Sequence, residues 1–397
     1  MPAVSVVMCV FNAEAFLHEA MGSIFAQTFR DFELIVVDDA STDRTPEILA
    51  GYTDPRIRVI RNSSNLGVGR ARNRGLRLAR GKYIAMHDAD DASVPDRLAQ
   101  EVAYLESHPE VGLVGSAAFW VTTSQTLSQT FPDIRDFRFP DSALNLETAG
   151  RLEFDTNWFA LPSNGQTRAL FVSPLSDLAI AWTLLRHSAF CNPTVMFRRT
   201  VYEQVGGFSE KQEHRYCEDY AMFSKFARQT RLANLESPLI TYHYHSDSTS
   251  AKHAAEQAAQ QEGVQQENLC WIMGCESVAP ETWLAWRKFV FPTIPASPLT
   301  FEEVKELRAL LPIIASNFYA AYDLGNGAEV KRHHRQTLFA WARHAIGLSY
   351  KPRKTVGFIS RLLLALLGIR LLANILYPKK ATRSCGRNST NSNTSSH

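Results

Sequence analysis

Three aspartates, Asp88, Asp90 and Asp91, directly follow a short apolar strand predicted at 82–86. Carboxylates this close together repel one another unless positive charge lies between them. Oxygen ligands suit Mg²⁺ and Mn²⁺, and Mg²⁺ is commonly held by one or two carboxylates together with the phosphates of a substrate. The cluster therefore indicates a cation that bridges to a diphosphate, as in a nucleotide-activated donor. The alternative for this segment is a solvated acidic loop that leads into a helix beginning near Pro95.

Polar residues also follow two other predicted strands at the point where each one ends. Phe11 and Asn12 come after the first strand of the chain, and Asp38 and Asp39 come after the second. In open α/β sheets, ligands lie beyond the carboxyl ends of the strands. All three polar clusters are therefore expected at one edge of a sheet, where they would form a nucleotide crevice.

The order of the predicted elements places these clusters on an α/β fold. Apolar runs predict strands at 4–10, 32–37, 57–60, 82–86 and 111–121, and apolar residues at helical spacing predict helices at 13–27 and 68–79. Thr45 is predicted to cap a further helix that has Pro46 at its first position. This alternation predicts a mostly parallel sheet covered by helices.

Beyond residue 121 the pattern is less regular. The segment 191–197 predicts a further strand, and Glu218 and Asp219 open a predicted helix. The chain is then predicted to be helical at 252–275, 301–321 and 330–347. The final residues are rich in Ser, Asn and Thr and are predicted to be disordered.

The composition describes a folded protein with an uneven charge distribution. Of the 397 residues, 45% are hydrophobic and 21% are charged, which predicts two domains or one large domain with an extension. The segment 331–397 carries 13 Lys and Arg and no Asp or Glu, which leaves 29 basic and 40 acidic residues in 1–330. The acidic body argues against a nucleic-acid partner.

Six scattered cysteines without metal-ligand spacing, and a first strand with no signal-peptide pattern, indicate a cytoplasmic protein.

Short motifs occur along residues 3–250 in an order that is specific as a whole. They are 4–12, 23–29, 32–43, Asn65-Leu66-Gly67, Ala71-Arg72-Asn73, Gly81-Lys82-Tyr83-Ile84, Asp88-Ala89-Asp90-Asp91, 192–199, Gly206-Gly207-Phe208 and Glu218-Asp219-Tyr220. In these motifs the chain resembles the family 2 glycosyltransferases, which are inverting and nucleotide-sugar dependent. The resemblance implies the GT-A fold, a Rossmann-like, mixed but mostly parallel sheet flanked by helices, here with a helical C-terminal extension.

The resemblance also implies roles for individual residues. Contacts to the nucleotide sugar are expected at Phe11, Asn12, Asp39, Arg70, Asn73, Asp88 and Ala89. Asp38 is expected to orient the loop that holds Asp39. Asp88 and Asp90 stand at the metal-binding motif for Mn²⁺ or Mg²⁺, with Asp90 as the direct ligand. A histidine of the later motif, His243 or His245, is expected near the diphosphate.

Asp219 stands where the family places its catalytic base. A carboxylate within hydrogen-bond reach of the acceptor hydroxyl can take its proton while the sugar leaves from the opposite face. The alternative for Asp219 is a carboxylate in the first turn of a helix, favoured there by the helix dipole.

The expected function is transfer of a sugar from a nucleoside-diphosphate sugar to a hydroxyl of a glycan or lipid-linked acceptor, in the synthesis of a cell-surface polysaccharide or lipopolysaccharide. One alternative is a nucleotidyltransferase, although no Gly-rich triphosphate loop with a partnering lysine is found near the N-terminus. The other alternative is a non-catalytic nucleotide-sugar-binding or scaffold protein.

The C-terminal region has a basic, apolar segment. Eight residues separate Arg361 from Arg370, which is about 12 Å of helix and far less than a bilayer core. A helix lying on an anionic membrane surface on the cytoplasmic side is therefore favoured over a spanning helix, and a helix packed in a bundle is the other alternative.

The predicted organisation is a catalytic domain at 1–250, divided into a nucleotide-sugar half at 1–121 and an acceptor half at 122–250. A helical extension at 251–350, a membrane-associating segment at 351–381 and a disordered tail at 382–397 follow.

Overall fold

The computed structural model describes residues 1–122, 157–161, 167–290 and 301–322. All of them lie within one compact unit, Met1–Val330, whereas a second unit, Lys331–His397, lies outside the described residues. The predictions for the helix at 330–347, the basic apolar segment at 351–381 and the tail at 382–397 therefore stay predictions.

A mixed sheet forms the centre of the unit. Its strands are β1 Val4–Val10, β2 Phe32–Asp38, β3 Ile57–Arg61, β4 Tyr83–Asp88, β5 Ala92–Ser93, β6 Val111–Thr122, β7 Asn157–Leu161, β8 Thr167–Val172, β9 Met196–Arg198 and β10 Arg231–His243. The strand order is β3-β2-β1-β4-β9-β6-β10-β5, and β8 pairs with both β6 and β7. Within this order, the four strand pairs with the most paired residues are parallel; they are β3-β2, β2-β1, β1-β4 and β6-β10. The short strand β9 is antiparallel to both β4 and β6.

Helices follow most of the strands and then form an extension. They are α1 Leu17–Phe25, α2 Thr45–Ala50, α3 Val68–Leu78, α4 Arg97–Ser107, α5 Asp177–Thr183, α6 Arg199–Val205, α7 Glu218–Ala227, α8 Thr249–Lys252, α9 Ala254–Met273, α10 Pro280–Val290 and α11 Phe301–Tyr322. No helix in the described ranges combines the length and the apolar character that crossing a bilayer requires.

Helices cover both faces of the parallel part of the sheet. All seven residues of β2 are buried, as expected for a central strand with both faces covered. On one face, α1 and α4 contribute Leu17, Met21 and Leu98 to the core. On the other face α3 lies very close to β1, since a Cβ at Gly75 would come within 2.5 Å of a side-chain methyl of Val7. This close packing fixes where α3 begins relative to the ends of the strands.

The α/β class and the mostly parallel sheet predicted from the sequence are confirmed, and two local predictions are wrong. Thr45 is the first residue of α2 and not its cap, because its hydroxyl accepts a hydrogen bond from the backbone N–H of Ala13 at 2.9 Å. The segment 191–197 is only partly a strand, because Asn192–Thr194 form a 3₁₀ turn before β9. Pro193 has no N–H to donate to a sheet, which explains why the strand starts late.

A buried network holds the segment that follows the acidic cluster. Arg97 is fully buried, and its guanidinium donates to the carbonyl oxygen of Met86 at 2.9 Å and to Glu101 Oε1 at 3.0 Å. Gln27 donates to the carbonyl oxygen of Val94 and accepts from the N–H of Leu98. The turn between β4 and α4 is therefore fixed from inside the core.

The buried carboxyl of Glu101 should make stability fall as the pH rises. Burial raises its pKa from 4.5 to about 7, with Arg97 opposing the shift. Since the folded state then binds more protons than the unfolded state between these values, the free energy of unfolding should decrease over this interval, by about 3 kcal/mol at most. Glu101→Gln should remove this contribution, so its stability relative to the unmodified protein should improve between pH 5 and pH 7.5 in urea unfolding.

The matched control is Glu106→Gln, which removes an exposed carboxylate from the same helix. The hydrogen bond from Lys82 lowers the pKa of Glu106, which is the opposite direction to the shift at Glu101. A stability difference between Glu101→Gln and the unmodified protein that does not change with pH would contradict the prediction.

Candidate active site

The carboxyl ends of β1 and β2 form the first part of the site. Phe11 is 49% exposed, and Asn12 lies next to it in the left-handed backbone region, which asparagine tolerates well. The backbone N–H of Asn12 donates to Ser41 Oγ at 3.0 Å, and its side-chain oxygen accepts from the N–H of Thr42 at 2.8 Å. These bonds tie the end of β1 to the loop after β2. Phe11 is exposed at this end of the sheet, and its predicted contact with a nucleotide base stays a prediction.

The Asp39 carboxylate is buried and its described bonds are all internal. It accepts hydrogen bonds from the Asn62 side chain at 2.6 Å and from the backbone N–H groups of Leu66 and Gly67 at 2.9 Å. Asp39 thus holds the loop that leads into α3, and its predicted contact with the donor stays a prediction. Asp38 accepts from the N–H of Ser41 at 2.9 Å, in keeping with the expectation that it orients the same loop.

The acidic cluster at the end of β4 divides into carboxylates with different surroundings. Asp88 Oδ1 accepts from Arg72 Nη2 at 2.8 Å and from the Asn192 amide at 3.3 Å. Asp91 is 1% exposed and accepts from the backbone N–H of His243 at 3.0 Å. Burial, together with the carboxylates of Asp90 and Asp88, raises the pKa of Asp91 well above its ordinary value. Ala89 is buried between these residues.

Asp90 is the most exposed carboxylate of the cluster, and two histidines at and just beyond the end of β10 approach it. His243 donates from Nδ1 to the Asp90 carbonyl oxygen at 2.8 Å, and His245 Nε2 lies 3.1 Å from Asp90 Oδ2. The imidazole of His245 stacks on Phe16, with 4.6 Å between the ring centroids, which fixes its orientation. Asp90, in the turn after β4, and His245, two residues beyond β10, thus lie side by side.

This pair suits a divalent cation that takes its remaining ligands from a substrate. Within the described ranges no group of three or more His, Cys, Asp or Glu side chains is arranged to hold a metal ion. Mg²⁺ is usually bound through one or two protein carboxylates plus waters and substrate phosphates, carboxylates suit Mn²⁺ as well, and imidazole is a common ligand of other divalent transition metals. Asp90 with His245 fits this pattern. Asp88 is already paired with Arg72, so its predicted role as a ligand stays a prediction.

The N-terminus of α7 supplies the second group of carboxylates. Asp219 is half-buried, and Oδ1 accepts from the backbone N–H of Tyr220 at 2.7 Å. Burial raises the pKa of Asp219 above its ordinary value, while Arg72 opposes the shift. Glu218 is 4% exposed and accepts from Arg72 Nη1 at 2.7 Å, and burial raises its pKa against the same opposing charge. Asp219 is thus the accessible carboxylate of the two, and its raised pKa makes it a stronger base than an exposed aspartate.

The remaining predicted donor residues lie on α3. The Asn73 amide is buried, accepts from the N–H of Phe208 at 2.9 Å, and donates to the Phe208 carbonyl oxygen and to Glu210, both at 2.9 Å. Arg70 is largely exposed, and its Nε lies 3.7 Å from Glu210 Oε2. Their donor contacts stay predictions, and the described bonds favour a role for Asn73 in holding the loop at Phe208.

Sequence reasoning missed the part played by Arg72, Glu218 and Asn192. All three lie within motifs that were recognised as wholes, in Ala71-Arg72-Asn73, in Glu218-Asp219-Tyr220 and in the segment 192–199. The available signal was the position of two charged residues in the sequence: Arg72 stands next to Asn73, and Glu218 stands next to Asp219, both of the predicted site.

Comparison with known proteins places this site in a family. Residues 5–164 match the model of the family described as Glycosyl transferase family 2. An uncharacterized glycosyltransferase of Haemophilus influenzae is 30% identical over 274 residues, which are 68% of this chain and 75% of the relative. The chain belongs to glycosyltransferase family 2. The putative glycosyltransferase EpsE of Bacillus subtilis is likewise 30% identical over 251 residues, 62% of this chain and 74% of that protein.

Family membership identifies the chain as a transferase enzyme with a GT-A-like fold, and the nucleotidyltransferase and scaffold alternatives are set aside. Among solved structures, S. aureus TarS 1-349 in complex with UDP-GlcNAc aligns with a TM-score of 0.49 at 17% identity, over 92% of this chain and 91% of that chain.

Proposed function

We propose that this glycosyltransferase moves a sugar from a nucleoside-diphosphate sugar to a hydroxyl group of its acceptor with inversion at the anomeric carbon. The observation that carries the proposal is the accessible Asp219 carboxylate, whose pKa burial raises, next to Glu218, which Arg72 links to Asp88 of the acidic cluster. A single displacement needs one base for the incoming hydroxyl and one means of neutralising the leaving group. Asp219 serves as the base in this proposal.

The leaving group is assigned to the edge of the sheet that carries Asp90 and His245. These two side chains would hold Mn²⁺ or Mg²⁺, with Asp88 beside them. When bound, such an ion offsets the negative charge that develops on the departing diphosphate. Asp90 and His245 would set the position of the diphosphate. Arg72 stays paired with the neighbouring Asp88 carboxylate.

The nucleotide is assigned to the ends of β1 and β2. Phe11 offers an exposed ring on which a base can stack, and Asn12 and Asp39 lie at the same end of the crevice. Arg70, Asn73 and Ala89 complete the proposed donor contacts on α3 and after β4.

The acceptor is proposed to be a growing glycan or a lipid-linked sugar of a cell-surface polysaccharide. One relative that supports this class is the succinoglycan biosynthesis protein ExoO of Rhizobium meliloti, 42% identical over 101 residues, which are 25% of this chain and 29% of that protein. The basic segment at 351–381 would bring the enzyme to the cytoplasmic face of an anionic membrane, within reach of a lipid-linked acceptor.

The experiment that tests the reaction class is a donor screen followed by product analysis. A set of uridine, guanosine and thymidine diphosphate sugars is incubated with full-length protein and MnCl₂, and release of the nucleoside diphosphate selects the donor. Proton NMR of the fresh product, with an acceptor or with water in its place, then reads the anomeric configuration. Inversion is the expected result, and retention of configuration would overturn the proposal.

A further inference from the structure

Arg72 is a buried cation that bridges the two carboxylate groups of the site. It is 7% exposed, and its two terminal nitrogens donate to Asp88 Oδ1 at 2.8 Å and to Glu218 Oε1 at 2.7 Å. Both are charge-assisted bonds at short distance, which is the geometry in which such bonds are strongest. The bridge joins the end of β4 to the start of α7, although Arg72 and Glu218 lie 146 positions apart in the chain.

The same face of α3 touches Glu218 at a second point. A Cβ at Gly69 would lie 3.2 Å from Glu218 Cγ and 3.0 Å from the carbonyl oxygen of Ser209. Since Gly69 and Arg72 are three positions apart, they lie on one side of the helix. Glu218 is therefore confined by backbone contact at Gly69 and by an ion pair at Arg72.

The start of α3 is itself fixed to the nucleotide end of the site. The Asp39 carboxylate accepts from the N–H groups of Leu66 and Gly67, immediately before α3 begins. One rigid helix thus connects the loop after β2, the acidic cluster after β4 and the start of α7.

The buried position of Arg72 has a cost in folding stability. Arg72 Nε is buried and has no hydrogen-bond partner in the described part of the chain, and a buried group without a partner is unfavourable. Burial lowers the pKa of Arg72, but the nearby carboxylates of Asp88, Glu218 and Asp219 more than offset this and hold its pKa above the ordinary value. The guanidinium is therefore a permanent charge placed among three carboxylates.

We propose that Arg72, acting through Glu218, is a positioning residue that fixes the start of α7 and so sets where the Asp219 carboxylate meets the acceptor hydroxyl. The inference rests on the proposed function of Asp219 as the base. Glu218 is the first residue of α7 and Asp219 the second, so a displaced Glu218 side chain moves the base while the donor-binding loops stay in place.

Three variants test this positioning role in the full-length protein. Glu218→Gln weakens the ion pair, and Arg72→Lys removes the planar guanidinium that binds two carboxylates at once. Gly69→Ala presses on Glu218 and on the Ser209 carbonyl oxygen without changing any charge. The control is Arg80→Lys, because Arg80 pairs with Glu33 at the same 2.7 Å distance but near the amino ends of β2 and β4, away from the site. Affinity for the nucleoside diphosphate selected in the donor screen is measured by calorimetry, and kcat and the acceptor KM are measured separately.

We expect Glu218→Gln to lower kcat by about 10²-fold with unchanged nucleotide affinity, because a misplacement of about 1 Å costs that much. Gly69→Ala should lower kcat less, with the same unchanged affinity, since the atoms it presses on need to move by less than that. Arg72→Lys should lower kcat and also the nucleotide affinity, because it loosens Asp88 as well as Glu218. The double variant Arg72→Lys/Glu218→Gln should be no slower than the slower single variant, since both act on one contact. A kcat equal to that of Arg80→Lys, or losses that multiply in the double variant, would overturn the inference. If Asp219→Asn keeps full activity, the proposed base fails instead, which separates the two ideas.

Discussion

Asp219→Asn should abolish sugar transfer while the protein still binds its donor. Asparagine keeps the size of the side chain and can still accept from the N–H of Tyr220, but it cannot take a proton from the acceptor. General-base catalysis is worth about 10²- to 10⁴-fold, so kcat should fall by about 10³-fold. The measurement is steady-state transfer with the selected donor, together with calorimetric binding of its nucleoside diphosphate.

The matched control is Asp96→Asn, which changes a carboxylate directly before α4 that accepts only from Gln100 in the described contacts. This variant should transfer sugar at the unmodified rate. Substantial turnover by purified Asp219→Asn would move the base to another residue, and a loss of donor binding in that variant would give Asp219 a structural role.

The ends of the parallel strands could be predicted from the sequence because their signals are local. The strands β1, β2 and β4 are short apolar runs that stop at polar residues, and a parallel sheet necessarily brings such ends to one edge. The ends of the predicted strands coincide with the observed ones or differ from them by one residue, except that β4 ends two residues later than predicted, which is the usual uncertainty of such boundaries. The edge on which the site lies therefore followed from pattern alone.

Contacts between distant parts of the chain could not be predicted in the same way. The ion pair of Arg72 with Glu218 spans 146 positions, and the approach of His245 to Asp90 spans 155. Neither pair leaves a periodic trace, so the sequence indicated His243 or His245 without deciding between them. In the structure His245 presents its ring to the Asp90 carboxylate, whereas His243 binds the Asp90 backbone.

The strand β10 was missed because its own sequence interrupts the strand pattern. It contains Pro238 in the middle, and the register with β6 shifts on both sides of that residue. Proline lacks an N–H for the ladder and breaks the apolar alternation that signals a strand. The strand is long enough to continue past this irregularity, and it delivers His243 to the acidic cluster.

Asp90→Ala should remove most of the cation-dependent part of donor binding. Asp90 is the partly exposed carboxylate beside His245, and a bound cation is worth several kcal/mol of charge stabilisation. The affinity for the nucleoside diphosphate in the presence of MnCl₂ should therefore fall by on the order of 10²-fold, to the value measured without MnCl₂. His245→Ala should lower the same affinity, because the two side chains are proposed to share one ion.

Asp247→Ala serves as the control for charge, since Asp247 lies two positions after His245 but is exposed and pairs with Lys252 at 2.9 Å. Its nucleotide affinity should keep its full dependence on MnCl₂. Unchanged manganese-dependent binding by calorimetry in Asp90→Ala would place the cation elsewhere. An equal loss in Asp247→Ala would point to the overall negative charge of this edge, and the direct contact of Asp90 with the ion would then have to be abandoned.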